Sequence, residues 1–364
     1  METSNRVPDY KIKVNGSELP QEDRVNVQEI FVDLRRQAPA SVEIQLNNHE
    51  GTYDEREDLA PGAQISVELG YQDDSTTQVF EGEIIGTQVK AKQNGPRVFL
   101  IRAFDYSHRL TRGRKQRNFN SQKFSDLVTT LAQEVGLTPD VEDTQFNREY
   151  VAQHNQTNLD FVRGMAGWLD FDLCIRHLED PKKLRFKPPE LSAAEAVTVV
   201  YENPNLQNNE LHLKKFDGRQ SLARVVSHVT VRGWNPGGKA AYIGRAGPDK
   251  LYDEMSGDSS AVQMVLDKWG ETERQIVDCK VFSQEEADKI AECKLNEYAR
   301  TFIRVDMEVQ GSTLPYPGCT VKAERVGPRY DGKYFVDSVH HIFTSKVGAS
   351  HGYTTRFIAS RCAW

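Results

Sequence analysis

Long apolar runs are missing from this sequence. No stretch of about 18 apolar residues occurs, which excludes a membrane-spanning helix. Disulfide patterning is missing too. The five cysteines, Cys174, Cys279, Cys293, Cys319 and Cys362, are odd in number, scattered, and form no Cys-x-x-Cys pair. That argues against a disulfide framework and for synthesis in a reducing compartment. Positive charge is not in excess: 46 Lys and Arg face 53 Asp and Glu, for a net charge of −7. A dedicated nucleic-acid binder needs a basic face, so that class is disfavoured. An acidic surface suits solubility, or a channel that does not retain anionic cargo. The stretch from Met1 to Asp9 is polar and lacks the apolar core of a signal peptide. Neither a Gly-x-x-x-x-Gly-Lys-Ser/Thr phosphate cradle nor His-Glu-x-x-His nor Gly-x-Ser-x-Gly is found.

What the chain does contain is strand pattern. Val42, Ile44 and Leu46 alternate with Ser41, Glu43 and Gln45, and Ile65, Val67 and Leu69 with Gln64, Ser66 and Glu68. Period two with one apolar side marks half-buried strands. Gly51, Pro61-Gly62, Gly70 and Asn94-Gly95-Pro96 punctuate them as turns. Short strands at this spacing favour a barrel or sandwich. Near residue 118 the period changes. Phe124, Leu127, Val128, Leu131, Ala132 and Val135 share one helical face, with Gly136 as a stop. Thr157 caps a second helix, with Asp160 completing a capping box and Phe161, Val162, Met165, Ala166 and Leu169 on its apolar side. Leu211, Leu213, Val225, Val229 and Val231 return to strand pattern. A short helix carries Val262, Val265, Leu266 and Trp269. Ser283 and Glu286 open a longer one, and Ile303, Val305, Met307 and Val309 form the clearest alternating strand. The chain thus divides into a β-barrel unit over 1–115, a small α+β middle domain over 116–205, and a second barrel over 206–364. A helical insertion at about 245–300 interrupts the second barrel.

The two β units read as one unit written twice. Pro61-Gly62, then Ile65 to Leu69, Phe80-Glu-Gly-Glu-Ile-Ile85 and Val98 to Phe104 are answered by Pro317-Gly318, Tyr330 to Phe343 around Gly332, and Gly352 to Phe357. Gly82 matches Gly332 on this reading, with unequal spacing from the preceding Pro-Gly. Two similar units per chain let three chains make a ring of six.

Candidate chemistry is sparse. His340-His341, with His351 beyond, is the most ligand-like cluster, but neighbours in a strand point to opposite faces and cannot readily share a metal. Cys174 and His177 have half a zinc spacing without a second half, and read as a core cysteine beside a surface histidine. Asp54, Glu55, Glu57 and Asp58 read as a solvated acidic loop rather than a glycosidase pair. Arg109, Arg112, Arg114, Lys115 and Arg117 have only Tyr106 and Phe119 flanking them. They read as a linker that is solvated or paired with acidic neighbours. No catalytic, cofactor-binding or metal-ligating residue is assigned, and no cofactor is expected.

Several stretches together resemble a known family. They are Phe104-Asp-Tyr-Ser-His-Arg-Leu110 leading to Asn118-Phe119, and Gln156-Thr-Asn-Leu-Asp-Phe-Val-Arg163 with Ala166 and Phe171. Ala287 to Leu295 follows, ahead of Gly311, Pro317-Gly318, Asp331-Gly332, Tyr334, Val336, His340 and Gly352-Tyr353-Thr354. In this order, across roughly 10–360, they look like the phage late control protein D family. That family includes the baseplate hub of contractile tails and the N-terminal part of the type VI secretion spike, valine–glycine repeat protein G. Val162 and Gly164 stand where the family often has Leu and Arg, and Asp170 where it often has Gly. The resemblance implies an α+β, mainly β fold: two tube-type β-barrels, an α/β middle domain and the helical insertion. It implies a non-enzymatic structural hub of a phage tail, tailocin or injection system. The hub is a homotrimer whose pseudo-sixfold ring joins the hexameric tail tube to the trimeric central spike. Its partners are the tube protein, the spike and other baseplate proteins. Cargo or DNA passes only transiently, and no stable membrane association is implied. It is made in the bacterial cytoplasm and assembled into the particle. The family's spike proteins continue into further barrel and β-helix segments, whereas this chain ends at Trp364. The expectation is a separately encoded spike, without which the chain does not pierce membranes. A tail-associated cell-wall hydrolase is the alternative function.

Overall fold

The computed structural model describes all residues except 1–5, 94, 204, 208, 236–237, 253–254, 256, 258, 278–279 and 346–351. Seven strands come first: β1 (Pro8–Val14), β2 (Ser17–Glu18), β3 (Val27–Arg35), β4 (Ser41–Asn47), β5 (Gln64–Tyr71), β6 (Thr77–Ala91) and β7 (Arg97–Asp105), with a single-turn helix α1 (Gln21–Arg24) between β2 and β3. The alternation read from sequence is observed. Val42, Ile44 and Leu46 are buried on β4, and Ile65, Val67 and Leu69 on β5.

A mixed segment follows: β8 (Lys115–Gln122), α2 (Phe124–Glu134), β9 (Thr138–Val141), β10 (Arg148–Gln156), α3 (Asn158–Leu169), β11 (Asp172–Ile175) and β12 (Lys183–Lys187). Helix α2 buries Phe124, Leu127, Val128, Leu131 and Ala132 along one stripe, and Gly136 beyond it has φ +76°. Thr157 Oγ1 accepts the Asp160 N–H at 3.0 Å and so caps α3, and it donates to the Asp160 carboxylate at 2.7 Å in place of the reciprocal backbone bond of a capping box. Helix α3 ends on Asp170 in the left-handed region, φ 53°, where glycine is usual. The Asp170 carboxylate meets two arginines, as described below.

The rest comprises β13 (Val197–Val200), β14 (Glu210–Gln220), β15 (His228–Asn235), β16 (Ala240–Ala246), α4 (Ala261–Trp269), β17 (Glu273–Ile276), α5 (Gln284–Ala299), β18 (Ile303–Gln310), β19 (Thr320–Glu324), β20 (Gly332–Thr344) and β21 (Gly352–Arg361). The fold is α+β and mainly β. One sheet of thirteen strands has the order β19-β13-β14-β18-β21-β20-β3-β4-β7-β6-β5-β1-β2. A further β19–β20 pairing closes six of them into a barrel.

Two details differ from the sequence reading. Val197–Val200, within the segment read as 116–205, pairs in parallel with both β14 and β19 and is a stave of the barrel. The excursion between β14 and β18 is not helical alone. Its strands β15, β16 and β17 form their own sheet, against which α5 packs, so Val229 and Val231 belong there and not to the barrel. The approach is close. A Cβ on Gly244 of β16 would lie 2.0 Å from the Ala287 carbonyl carbon.

The duplication is visible strand by strand. In the first unit the order runs β3-β4-β7-β6-β5-β1, and in the second β14-β18-β21-β20-β19-β13. Each position in one list matches its counterpart in sequence order. A register shift falls between Ile84 and Gly86 opposite β7, and between Val336 and Ser338 opposite β21. Another falls between Val27 and Glu29 opposite β4, and between Leu213 and Lys215 opposite β18. Bulges that recur at matched positions are strong signs of common architecture. The Pro-Gly turns match atom for atom. Gly62 donates to Ile84 O at 2.7 Å and Ile84 to Ala63 O at 2.9 Å. Gly318 donates to Val336 O at 2.9 Å and Val336 to Cys319 O at 2.9 Å. Both glycines have positive φ, +101° and +87°. Register makes Tyr334, not Gly332, the counterpart of Gly82.

The units part company at one strand. In the second, β13 runs parallel to β19 and also pairs with β14, closing the barrel. In the first, β1 runs antiparallel to β5 and, among the described residues, makes no pairing with β3. The edge of β3 goes to β20 of the other unit instead.

Candidate assembly surface

What stands out among the described residues is a seam, a charged node and long stretches of open edge on β6 and β14. The seam joins the units through seven antiparallel residue pairs, from Glu29 opposite Thr344 to Arg35 opposite Ser338. Alternation sends His340 to the solvent side and His341 to the core. His340 stacks on Phe31 at 5.7 Å, with its Nδ1 3.4 Å from Asp33. Burial lowers its pKa, against the pull of Asp33. His341 Nδ1 lies 2.9 Å from the Tyr353 hydroxyl and 3.2 Å from Thr355 Oγ1. Burial pushes His341 down to about 3, so the ring sits neutral behind the seam. The paired histidines therefore serve opposite faces, as strand geometry requires. His351 and Cys279 lie outside the described residues. On the core side, Tyr71 donates to Gly311 O at 2.9 Å, which further ties the first unit to the second.

The charged node locks three segments together. Arg36, just beyond β3, donates through Nε to Asp172 Oδ1 at 2.6 Å and lies 3.7 Å from both Asp170 and Asp337. Burial opposes its charge, but these three carboxylates hold it protonated and raise its pKa above the usual arginine value. Arg300 pairs with the other oxygen of Asp170, while its Nη1 is buried without a hydrogen-bond partner among the described residues. Leu173 N–H donates to Arg36 O at 2.8 Å, and Gln37 Nε2 donates to Phe171 O at 3.0 Å. Buried ion pairs of this kind contribute little net stability, yet they fix geometry, because losing one partner strands a charge. Sequence reasoning missed this node. Its only signal was two aspartates flanking Phe171, a long way in sequence from the arginine they hold.

Beside the node a groove of about 690 Å³ runs over the outer face of the barrel. Arg219, Arg224 and Arg304 line it without a hydrogen-bond or ion-pair partner among the described residues. The outer face is otherwise internally balanced. Arg35 pairs with Asp33, Arg102 with Glu43 and Arg356 with Asp306.

The remaining sequence candidates fall into structural roles. The basic run pairs with acids: Arg109 with Glu83 at 2.5 Å, Arg117 and Lys115 with Glu134 at 2.7 and 3.2 Å. In the acidic loop Asp54 is held by Arg97, and Asp58 by Arg56. His177 is a correction. It is buried, not on the surface. Its Nδ1 accepts the Glu81 N–H at 3.2 Å and its ring stacks on Phe80 at 5.4 Å. The loop after β11 tucks under the first unit, which the polar run Arg176-His177-Leu178-Glu179-Asp180 does not announce. Cys174 is buried, and burial pushes its thiol up to about 12, so it is inert. Among the described residues, no three His, Cys, Asp or Glu side chains are placed to hold a metal, and no helix is long and apolar enough to cross a membrane.

Among the described residues, β6 and β14 each carry a long stretch of open edge. Beyond Ile84, β6 pairs with β7 on one side only, and Thr87 to Ala91 are all exposed. Beyond His212, β14 pairs with β18 on one side only.

Solved structures with this fold come from phage tails and secretion machines. The 43 kDa tail protein of prophage MuSo2 from Shewanella oneidensis superposes with a TM-score of 0.67 at 12% identity, covering 97% of this chain and 98% of that one. A tail protein from Neisseria meningitidis gives 0.66 at 13% identity, covering 98% and 97%. An Escherichia coli component of the type VI secretion system, described as similar to bacteriophage T4 tail proteins, gives 0.62 at 12% identity, covering 97% and 77%. At such identities the likeness concerns the fold. No curated protein matches the sequence. The family model described as the Alg8 N-terminal domain matches residues 4–345, and the chain belongs to that family.

Proposed function

We propose that this chain is a structural baseplate hub of a contractile tail or injection system, akin to the phage late control protein D family. Three copies form a ring whose six β units present a near-sixfold end to a hexameric tail tube. The same ring presents a true threefold end to a trimeric central spike. The observation that carries this reading is the recurrence, in one polypeptide, of a six-strand order with two bulges at matched positions. A duplicated unit converts threefold into pseudo-sixfold symmetry without a second gene product. The likeness to tail and secretion proteins supports the setting.

Function on this reading is geometry and not catalysis. The seam and the Arg36 node hold the two units at a fixed angle. Obligate contacts between copies bury on the order of 2,000 Å² or more. Domain limits near 115 and 205 follow as part of the proposal, with β13 assigned to the second barrel.

The experiment is native mass spectrometry of the purified chain, together with electron microscopy after addition of tube protein. Closed rings of three copies that seed tube growth are expected. A strict monomer at micromolar concentration that never engages tube protein overturns the reading.

A further inference from the structure

On the core side of the seam lies a cavity of about 210 Å³, where three segments of the chain meet. Leu34 and Val79 come from the first unit, Ile175 and Leu178 from the end of β11 and the loop after it, and Pro315 and Tyr316 from the loop between β18 and β19. These walls are apolar. An apolar cavity of about 150 Å³ already accepts a benzene ring.

The polar groups in the wall are unequally matched. Asp105 is fully engaged: Oδ1 accepts the N–H and hydroxyl of Ser107, and Oδ2 accepts the Ala40 N–H at 2.7 Å. The His177 side chain is 3% exposed. Its Nδ1 accepts the Glu81 N–H, so the ring proton sits on Nε2. That N–H lies 3.8 Å from Asp105 Oδ2, too far for a hydrogen bond, and has no acceptor among the described residues. Arg176, beside it, leaves Nε and Nη2 buried in the same condition, with Glu190 3.6 Å from Nη2. Buried donors without acceptors are unfavourable, and a group that completes them is bound the more tightly for it.

We propose that this cavity binds a small uncharged molecule, an aryl or branched-alkyl body bearing one carbonyl oxygen that accepts from His177 Nε2. The walls and the volume select the body, and the unanswered donors select the oxygen. Charge is excluded from both sides. Asp105 and Glu179 line the cavity and repel an anion, while Arg35 and Arg176 repel a cation. The site lies within one chain, at the junction of its two units, and does not depend on the ring reading.

Titration calorimetry of the full chain with acetophenone, ethylbenzene and benzoate tests the site. The three probes share a ring and differ in the head: a neutral acceptor, no acceptor, and a charged one. Acetophenone is expected to bind at least about tenfold more tightly than either of the others. Equal affinity for acetophenone and ethylbenzene, tighter binding of benzoate, or no binding of any probe overturns the proposal. His177→Phe keeps an aromatic ring against Phe80 and removes the donor, so the preference for acetophenone over ethylbenzene should shrink to about twofold or less. A melting curve checks that this variant folds, and a preference it retains in full counts against the site. Should the variant not fold, the His177 Nε2 resonance of the isotope-labelled wild-type chain gives the answer. It should move with acetophenone and not with ethylbenzene, and a resonance unmoved by bound acetophenone overturns the assignment.

Discussion

Replacing each of the two matched turn glycines with alanine uses the duplication as its own control. Gly62 and Gly318 occupy the same turn, make the same hydrogen bonds and both have positive φ. A Cβ on left-handed backbone costs about 1–2 kcal/mol, and this part should be common to both. The surroundings differ. Around Gly62 a Cβ meets nothing within 4 Å, whereas at Gly318 it falls 2.9 Å from Asp172 Oδ2. Asp172 has no room to retreat, because its carboxylate is bound by Arg36 at 2.6 Å and Arg185 at 3.4 Å in a buried setting. Forcing a methyl into such a site adds about 1–3 kcal/mol. Gly62→Ala is therefore expected to lose about 1–2 kcal/mol, and Gly318→Ala about 2–5 kcal/mol. Urea unfolding at one fixed protein concentration, with the slope checked for constancy, reads the difference. Equal losses, or a larger loss at Gly62, would show that the node does not brace the second turn.

Removing Arg36 as Met should cost about 3–5 kcal/mol, since Asp170 and Asp172 are left buried without their cation. Denaturant midpoints would reveal this, and a loss near zero would rule out the node as the clamp. His341 titrates far below its unfolded value, so the unfolded chain binds the extra proton. Stability should fall as pH drops below about 6.5 and continue falling toward the folded value near 3. By pH 5 the loss reaches about 2 kcal/mol, and His341→Gln should flatten that segment of a pH–stability curve. An unchanged slope in the variant would refute the assignment. Gly244→Ala would drive a methyl into the backbone of α5, so thermal unfolding of the β15–β17 segment should come markedly earlier, while a wild-type melting curve would contradict the packing.

Local signals were legible in the sequence. Thr157 with Asp160 and Ser283 with Glu286 cap their helices as read, and β4, β5 and β18 carry the buried faces their alternation announced. Even Glu286 keeps a twist, since its carboxylate turns to Arg148 at 2.6 Å and to Phe282 N–H at 2.9 Å. Partner choice was less legible. Period two says which face of a strand is buried and not which strand lies beside it. Val197–Val200 is four residues long and pairs in parallel on both edges, a contact between distant segments that no turn signals. For the same reason Gly82 invited comparison with Gly332, although cross-strand register aligns it with Tyr334. The open edges on β6 and β14 were invisible until the sheet order was known, because an edge is a property of the neighbour that is missing.

Linking β3 and β20 on one polypeptide also alters the kinetics of assembly. That junction forms at a first-order rate, insensitive to how much protein a cell contains, and its alignment is settled when the chain folds. Only contacts between separate molecules remain subject to dilution. A machine built from such tethered pairs can therefore nucleate from fewer encounters than one built from free single units.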